Sequence, residues 1–115
     1  MRFALAQLNL TVGAFAANFD RMAAAAARAR DAGADLLVLS ELATTGYPPR
    51  DLLTHARFVE ANLAQRDRVA ALSDAQLGIL VGFVDPNPAG DGKPLFNAVA
   101  LCHDGRVVAT HHKTL

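Results

Sequence analysis

Leu36-Leu37-Val38-Leu39-Ser40-Glu41 decides the fold. Four consecutive apolar residues without polar alternation describe a strand covered on both faces, as at the centre of a sheet built with parallel crossovers. The run stops abruptly at Ser40-Glu41. On its amino-terminal side, Phe19, Met22, Ala26 and Ala29 recur at helical spacing, with Arg21 and Arg28 on another side. Asn18 is the expected N-cap of this helix and Gly33 its stop, while the alanine-rich seam lets it lie close to a sheet. Further out, Arg2 to Leu10 is apolar at nearly every position apart from Gln7 and Asn9 and reads as a first strand covered on both faces, broken at Val12-Gly13.

On the carboxyl-terminal side, Thr44-Thr45-Gly46-Tyr47-Pro48-Pro49 is a loop, because two prolines and a glycine deny it ladder donors and helical dihedrals. A second helix begins just after it, with Leu52, Ala56, Val59, Leu63 and Ala70 as its apolar stripe. Leu77 to Val84 reads as another buried strand and Asp85 to Gly92 as an exposed loop. Asp104-Gly105 is a two-residue hairpin signal, so Leu95 to His103 and Arg106 to His112 pair antiparallel. The fold class is α/β: a mixed five-stranded sheet, two parallel crossovers followed by one hairpin, with two helices on one face. The other face, also apolar, is left to water, so residues 1–115 are expected to form the amino-terminal part of a larger domain.

Composition narrows the function classes. The 115 residues are 52% hydrophobic and 19% charged, enough for one core. Eleven Lys plus Arg balance eleven Asp plus Glu, which removes any general pull toward nucleic acid or anionic lipid. The alanine run Ala23 to Ala27 is stopped by Arg28 and Arg30, far short of the roughly 20 apolar residues of a membrane span. The start of the chain lacks the features of a secretory signal, and the single cysteine, Cys102, forms no internal disulfide. These features point to the reducing cytoplasm, with neither nucleic acid nor membrane as partner.

Glu41 is the most informative residue, a lone carboxylate at the carboxyl end of the most hydrophobic strand, where open α/β sheets bind ligands. Partial desolvation there would raise its pKa and fit it for proton transfer, although a solvated strand-end acid has the same sequence. Lys113 closes a strand in the same way, but on its own it reads first as an exposed terminal lysine. His111-His112 does not make a metal site, because neighbouring strand side chains point to opposite faces. Cys102, mid-strand between Leu101 and His103, is expected to be a buried, inert thiol. Neither Gly78-Ile79-Leu80-Val81-Gly82 nor Gly92-Lys93 has the spacing of a phosphate-binding loop.

Taken together, Phe3-Ala4-Leu5-Ala6-Gln7-Leu8-Asn9, Ser40-Glu41-Leu42, Gly46-Tyr47-Pro48-Pro49-Arg50-Asp51-Leu52-Leu53 and His111-His112-Lys113-Thr114-Leu115 resemble the nitrilase (carbon–nitrogen hydrolase) superfamily. The narrower resemblance is to the amino-terminal glutaminase domains of glutamine-dependent NAD synthetases. It implies an α-β-β-α sandwich, of which this chain is a partial copy, and a Glu-Lys-Cys mechanism. Glu41 matches the family's base, Lys113 its lysine, and Tyr47 a tyrosine of the glutamine pocket. The family's cysteine would fall beyond Leu115, and Cys102 does not match its motif. Arg50 stands where relatives often carry an acidic residue, and Thr44-Thr45 departs from a more usual apolar-Thr pair. The implied reaction is hydrolysis of glutamine to supply ammonia for ATP-dependent amidation of deamido-NAD. The resemblance places ATP and magnesium in a synthetase domain of the same chain, with no cofactor in this segment, and implies a homo-oligomer at full length. Two rivals share these residues: a free-standing amidase or carbamoylase, and a non-catalytic interaction fragment that keeps an apolar face for a partner.

Overall fold

The computed structural model describes residues 1–113; Thr114 and Leu115, the last two residues of the motif around Lys113, lie outside them. Five strands form one sheet in the order of the sequence: β1 (Phe3–Leu5), β2 (Leu36–Val38), β3 (Gly78–Pro86), β4 (Leu95–His103) and β5 (Arg106–His112). β1, β2 and β3 run parallel, and β4 and β5 add antiparallel. Each parallel step is bridged by a helix, α1 (Phe15–Asp31) and α2 (Ala56–Ala70), and both helices pack on the same face. This is the mixed sheet with two helices on one face that the alternation of apolar runs predicts. Among the described residues no helix is long and apolar enough to cross a membrane.

The core lies between the helices and that face. α1 contributes Met22, Ala26 and Ala29, α2 contributes Val69 and Ala70, and the sheet contributes Leu37, Ile79, Val81, Phe83, Ala98, Ala100 and Cys102. Every second residue of β4 from Ala98 to Cys102 is buried, the period expected of a strand with one face covered. Burial of side chains such as Phe83, Ile79 and Val81 stabilises by about 1.5–3 kcal/mol each. The opposite face carries Phe3, Leu5 and Leu101, at 60%, 76% and 36% exposure.

Three expectations change. β1 is three residues long rather than nine, because its partner β2 ends after Val38; only Ala6 N–H continues the ladder, donating to Val38 O at 3.0 Å. It is covered on one face alone, since no second layer lies over Phe3 and Leu5 among the described residues. Asn18 is not the N-cap of α1. The helix starts at Phe15 behind Ala14, and Asn18, fully buried, takes the main chain of Thr11 in both directions: Oδ1 accepts from Thr11 N at 2.9 Å and Nδ2 donates to Thr11 O at 2.7 Å. A side chain able to cap a helix instead closes the turn that leads into it. Finally, α2 starts at Ala56, after a short 3-10 turn over Arg50–Thr54 that leaves Leu52 39% exposed rather than on the apolar stripe.

One buried amide fixes how α2 meets the sheet. Asn62 on α2 accepts from Val84 N (2.9 Å) and donates to Val84 O (2.7 Å), and its Oδ1 also accepts from Thr44 Oγ1 (2.7 Å). Both Asn62 and Thr44 are fully buried. Each buried polar group left without its partner would cost about 1–3 kcal/mol, so these bonds lock helix, strand and the loop after Glu41 together. The loop that carries Glu41 is thereby held from behind.

Candidate active site

The site is built where β2 stops. Leu39 N–H still donates to Leu80 O at 2.9 Å, and the chain then crosses over β3 at Gly82. A Cβ at position 82 would lie 2.5 Å from Leu42 N and 2.7 Å from Ser40 O, so only glycine admits this crossing. Thr44 N–H donates to Gly82 O at 3.2 Å, and Leu42 O accepts from Thr45 N (3.2 Å) and Gly46 N (2.9 Å). Leu42 itself takes φ +49°, a left-handed conformation unusual for a branched side chain, and it is held there by burial and by this turn. The result is a tight, strained corner that thrusts Glu41 over the open face of the sheet.

Two neighbours meet it. On β4, Asn97 stands opposite Val84 in the register and points to the same open face. Asn97 O accepts from Lys113 N at 2.8 Å, which continues the β4–β5 pairing just past His112 and brings the lysine alongside. Glu41 Oε1 then accepts from Lys113 Nζ at 3.0 Å and from Asn97 Nδ2 at 2.5 Å. Lys113, 72 residues along the chain from Glu41, thus shares one carboxylate oxygen with Asn97. They line a groove of about 530 Å³ whose floor includes Gly82 and Val99 and whose wall includes His111.

The electrostatics run opposite to the sequence expectation for Glu41. The hydrogen bond from the Lys113 ammonium holds its carboxyl below the usual glutamate range, the Asn97 amide adds to this, and burial opposes them without prevailing. The side chain is still 43% exposed, which limits the desolvation that would have raised it. The carboxylate is therefore ionised at neutral pH. Lys113 keeps two of its three ammonium protons for another acceptor.

Tyr47, on the loop past Glu41, is 63% exposed and does not line this groove. His111 and His112 take opposite faces: His111 faces the groove, whereas His112 bonds Asp85 at 2.8 Å and stacks on Phe96 with ring centroids 4.2 Å apart. Cys102 is fully buried on the helical face, where desolvation pushes its thiol up to about 11. A thiol so placed is no nucleophile for the groove on the other face. Asn97 escaped the sequence reading, although a signal existed: it is the one polar residue in Leu95-Phe96-Asn97-Ala98-Val99-Ala100-Leu101.

Comparison with known proteins agrees with this architecture. The carbon-nitrogen hydrolase family profile matches residues 2–115. The chain is 41% identical over 115 residues to a glutamine-dependent NAD(+) synthetase of Synechocystis sp., covering 97% of this chain and 21% of that protein. It is 34% identical over 114 residues to the enzyme of the same name from Thermotoga maritima, covering 98% and 19%. The chain thus spans about one-fifth of the length of these relatives. Among solved structures, it superposes on a glutamine-dependent NAD+ synthetase from Acinetobacter baumannii with a TM-score of 0.86 at 26% identity, over 98% of this chain and 20% of that one. An amidase from Nesterenkonia sp. gives 0.84 at 27% identity, over 100% and 43%. In a solved variant of that amidase, acrylamide is attached to the active-site cysteine. With a family profile matched along almost its whole length, on a sheet that places a glutamate and a lysine in contact, this chain belongs to the carbon–nitrogen hydrolase family.

Proposed function

We propose that these residues form part of a glutaminase, which hydrolyses the side-chain amide of glutamine and delivers the ammonia to amidation of deamido-NAD within the same protein. The single observation that carries the reading is the contact between the Lys113 ammonium and the Glu41 carboxylate at the carboxyl ends of the strands, above an open groove. The 41% identity to a glutamine-dependent NAD(+) synthetase supports glutamine among the amides that such a pair could serve.

The chemistry follows from the charges. A thiol attacks an amide well only as thiolate, so an ionised carboxylate within reach takes the S–H proton as the sulfur–carbon bond forms. Glu41 fills that role. The carbonyl oxygen gains negative charge in the tetrahedral intermediate, and the two free Lys113 protons stabilise it, an effect of about 3 kcal/mol for a typical oxyanion donor. Collapse of the intermediate breaks the carbon–nitrogen bond, and Glu41 returns its proton to the departing nitrogen as ammonia leaves. Water, deprotonated by the same carboxylate, then cleaves the thioester to glutamate and restores the thiol. The nucleophile in this reading is a cysteine outside residues 1–115, in keeping with the active-site cysteine of the related amidase. Tyr47 does not line the groove of the described residues; in this reading, on the family resemblance alone, it would contact bound glutamine from the loop past Glu41.

In the same reading ATP and magnesium serve the amidation step in another part of the protein. The protein would work in the cytoplasm as a homo-oligomer. A free-standing amidase is the competing reading, since the Nesterenkonia fold superposes nearly as well. To separate them, the full-length protein is given glutamine labelled with nitrogen-15 at the side-chain amide, together with ATP, magnesium and deamido-NAD. Label in the nicotinamide carboxamide of NAD is the expected result. Hydrolysis of simple amides with no labelled NAD would overturn it in favour of the amidase.

A further inference from the structure

We propose that Asn97 is a positioning residue that, together with Lys113, occupies one oxygen of Glu41 and so assigns proton transfer to the other. The inference rests on the glutaminase reading and refines the role of its base. Asn97 interrupts an otherwise apolar strand segment and faces the groove beside Glu41 and Lys113. Its Nδ2 donates to Glu41 Oε1 at 2.5 Å, a bond to an ionised acceptor. The second donor, Lys113 Nζ, goes to the same atom at 3.0 Å. Among the described residues no donor reaches Oε2.

The asymmetry has a mechanistic consequence. With Oε1 holding two donors, its lone pairs are engaged and the carboxylate plane is fixed, leaving Oε2 as the atom that takes the thiol proton and returns it to ammonia. The backbone adds a second link: Asn97 O accepts from Lys113 N at 2.8 Å, so a single residue on β4 sets the base with its side chain and the lysine with its main chain. Were the amide lost, Lys113 alone would hold a carboxylate free to rotate, and either oxygen could be drawn to the ammonium. The correct atom would then face the nucleophile only part of the time, and the carboxylate would lose a donor that favours its charged form.

The test uses Asn97→Ala and Asn97→Asp in the full-length protein, with glutamine hydrolysis followed across pH. Asn97→Ala is expected to lower kcat about tenfold with KM within about threefold, as for an interaction that matters to the transition state rather than to binding. The acid limb of the kcat/KM profile moves to higher pH, and moves further in Asn97→Asp, which keeps the shape of the side chain but replaces the donor with a like charge. A merely structural asparagine would lower activity without moving that limb. An acid limb unchanged in both variants, or a rise in KM alone, overturns the inference. If Asn97→Ala fails to fold, the isosteric Asp variant carries the same decision. Glu41→Gln, run alongside, separates the two levels: full activity in that variant removes the glutaminase reading itself, whereas an inactive Glu41→Gln beside unshifted Asn97 profiles removes only the role of Asn97.

Discussion

Glu41→Gln in the full-length protein is expected to lower glutamine hydrolysis about 10³-fold, in the range that a lost general base costs, while synthesis of NAD from free ammonia continues. The substitution preserves shape, and its carbonyl oxygen can still accept from Lys113 and Asn97, so the groove keeps its geometry. What disappears is the ability to take a proton, because the free carboxylate oxygen becomes an amide nitrogen. Glutamine still binds, and KM stays within about threefold, since the change removes an interaction specific to the transition state. Ammonia-driven synthesis needs no thiolate and is the internal control. Equal loss of both reactions would mean that Glu41 supports the fold rather than the chemistry.

The second large effect comes from a residue that touches no reacting group. In Gly82→Ala the new methyl would sit 2.5 Å from Leu42 N and 2.7 Å from Ser40 O. Those atoms are main chain, so the corner bearing Glu41 must move instead of a flexible side chain giving way. A displacement of about 1 Å between catalytic groups costs on the order of 10²-fold in rate, and a loss of that size in kcat for glutamine hydrolysis is expected. Gly78→Ala, at the start of the same strand, is the contrasting variant. Its nearest neighbour is the Leu36 side chain at 3.2 Å, which can shift, so activity near that of the unmodified protein is expected. Steady-state kinetics on both, with thermal unfolding to confirm that each variant folds, distinguishes displaced geometry from general damage. Comparable loss in the two variants would contradict the special role of the crossing at Gly82.

The fold was legible because its strands and helices have different hydrophobic periods. Leu36 to Leu39 and Leu77 to Val84 lack alternation and became the interior parallel pair, although Leu36 and Val38 of β2 are only half-buried on the open face, and Asp104-Gly105 gave the hairpin directly. Boundaries were less legible where a side chain had two possible uses. Asn18 can cap a helix or hold a turn, and only the position of Thr11 decides between them. The length of β1 depends on where its neighbour stops, which no local pattern in Arg2 to Leu10 encodes.

The site was legible in part. Glu41 and Lys113 stand out as charges that end apolar strands, but their meeting depends on two further features that carry no charge. Gly82 lets one chain segment cross another, and Asn97 ties the two strand ends together. The direction of the Glu41 shift is opposite to the sequence expectation for the same reason. A strand-end carboxylate suggests desolvation, whereas two donors from strands further along the chain outweigh it.

The most direct measurement is the titration of the Glu41 carboxyl by carbon-13 NMR in the full-length protein, with its resonance assigned by disappearance in Glu41→Gln. The carboxyl is expected to ionise at lower pH in the unmodified protein than in Lys113→Met, because the ammonium is the largest source of its stabilised charge. If the two titrations coincide, or the lysine variant ionises at the lower pH, the ammonium does not hold the base in its charged form, and the paired Glu41–Lys113 centre is contradicted.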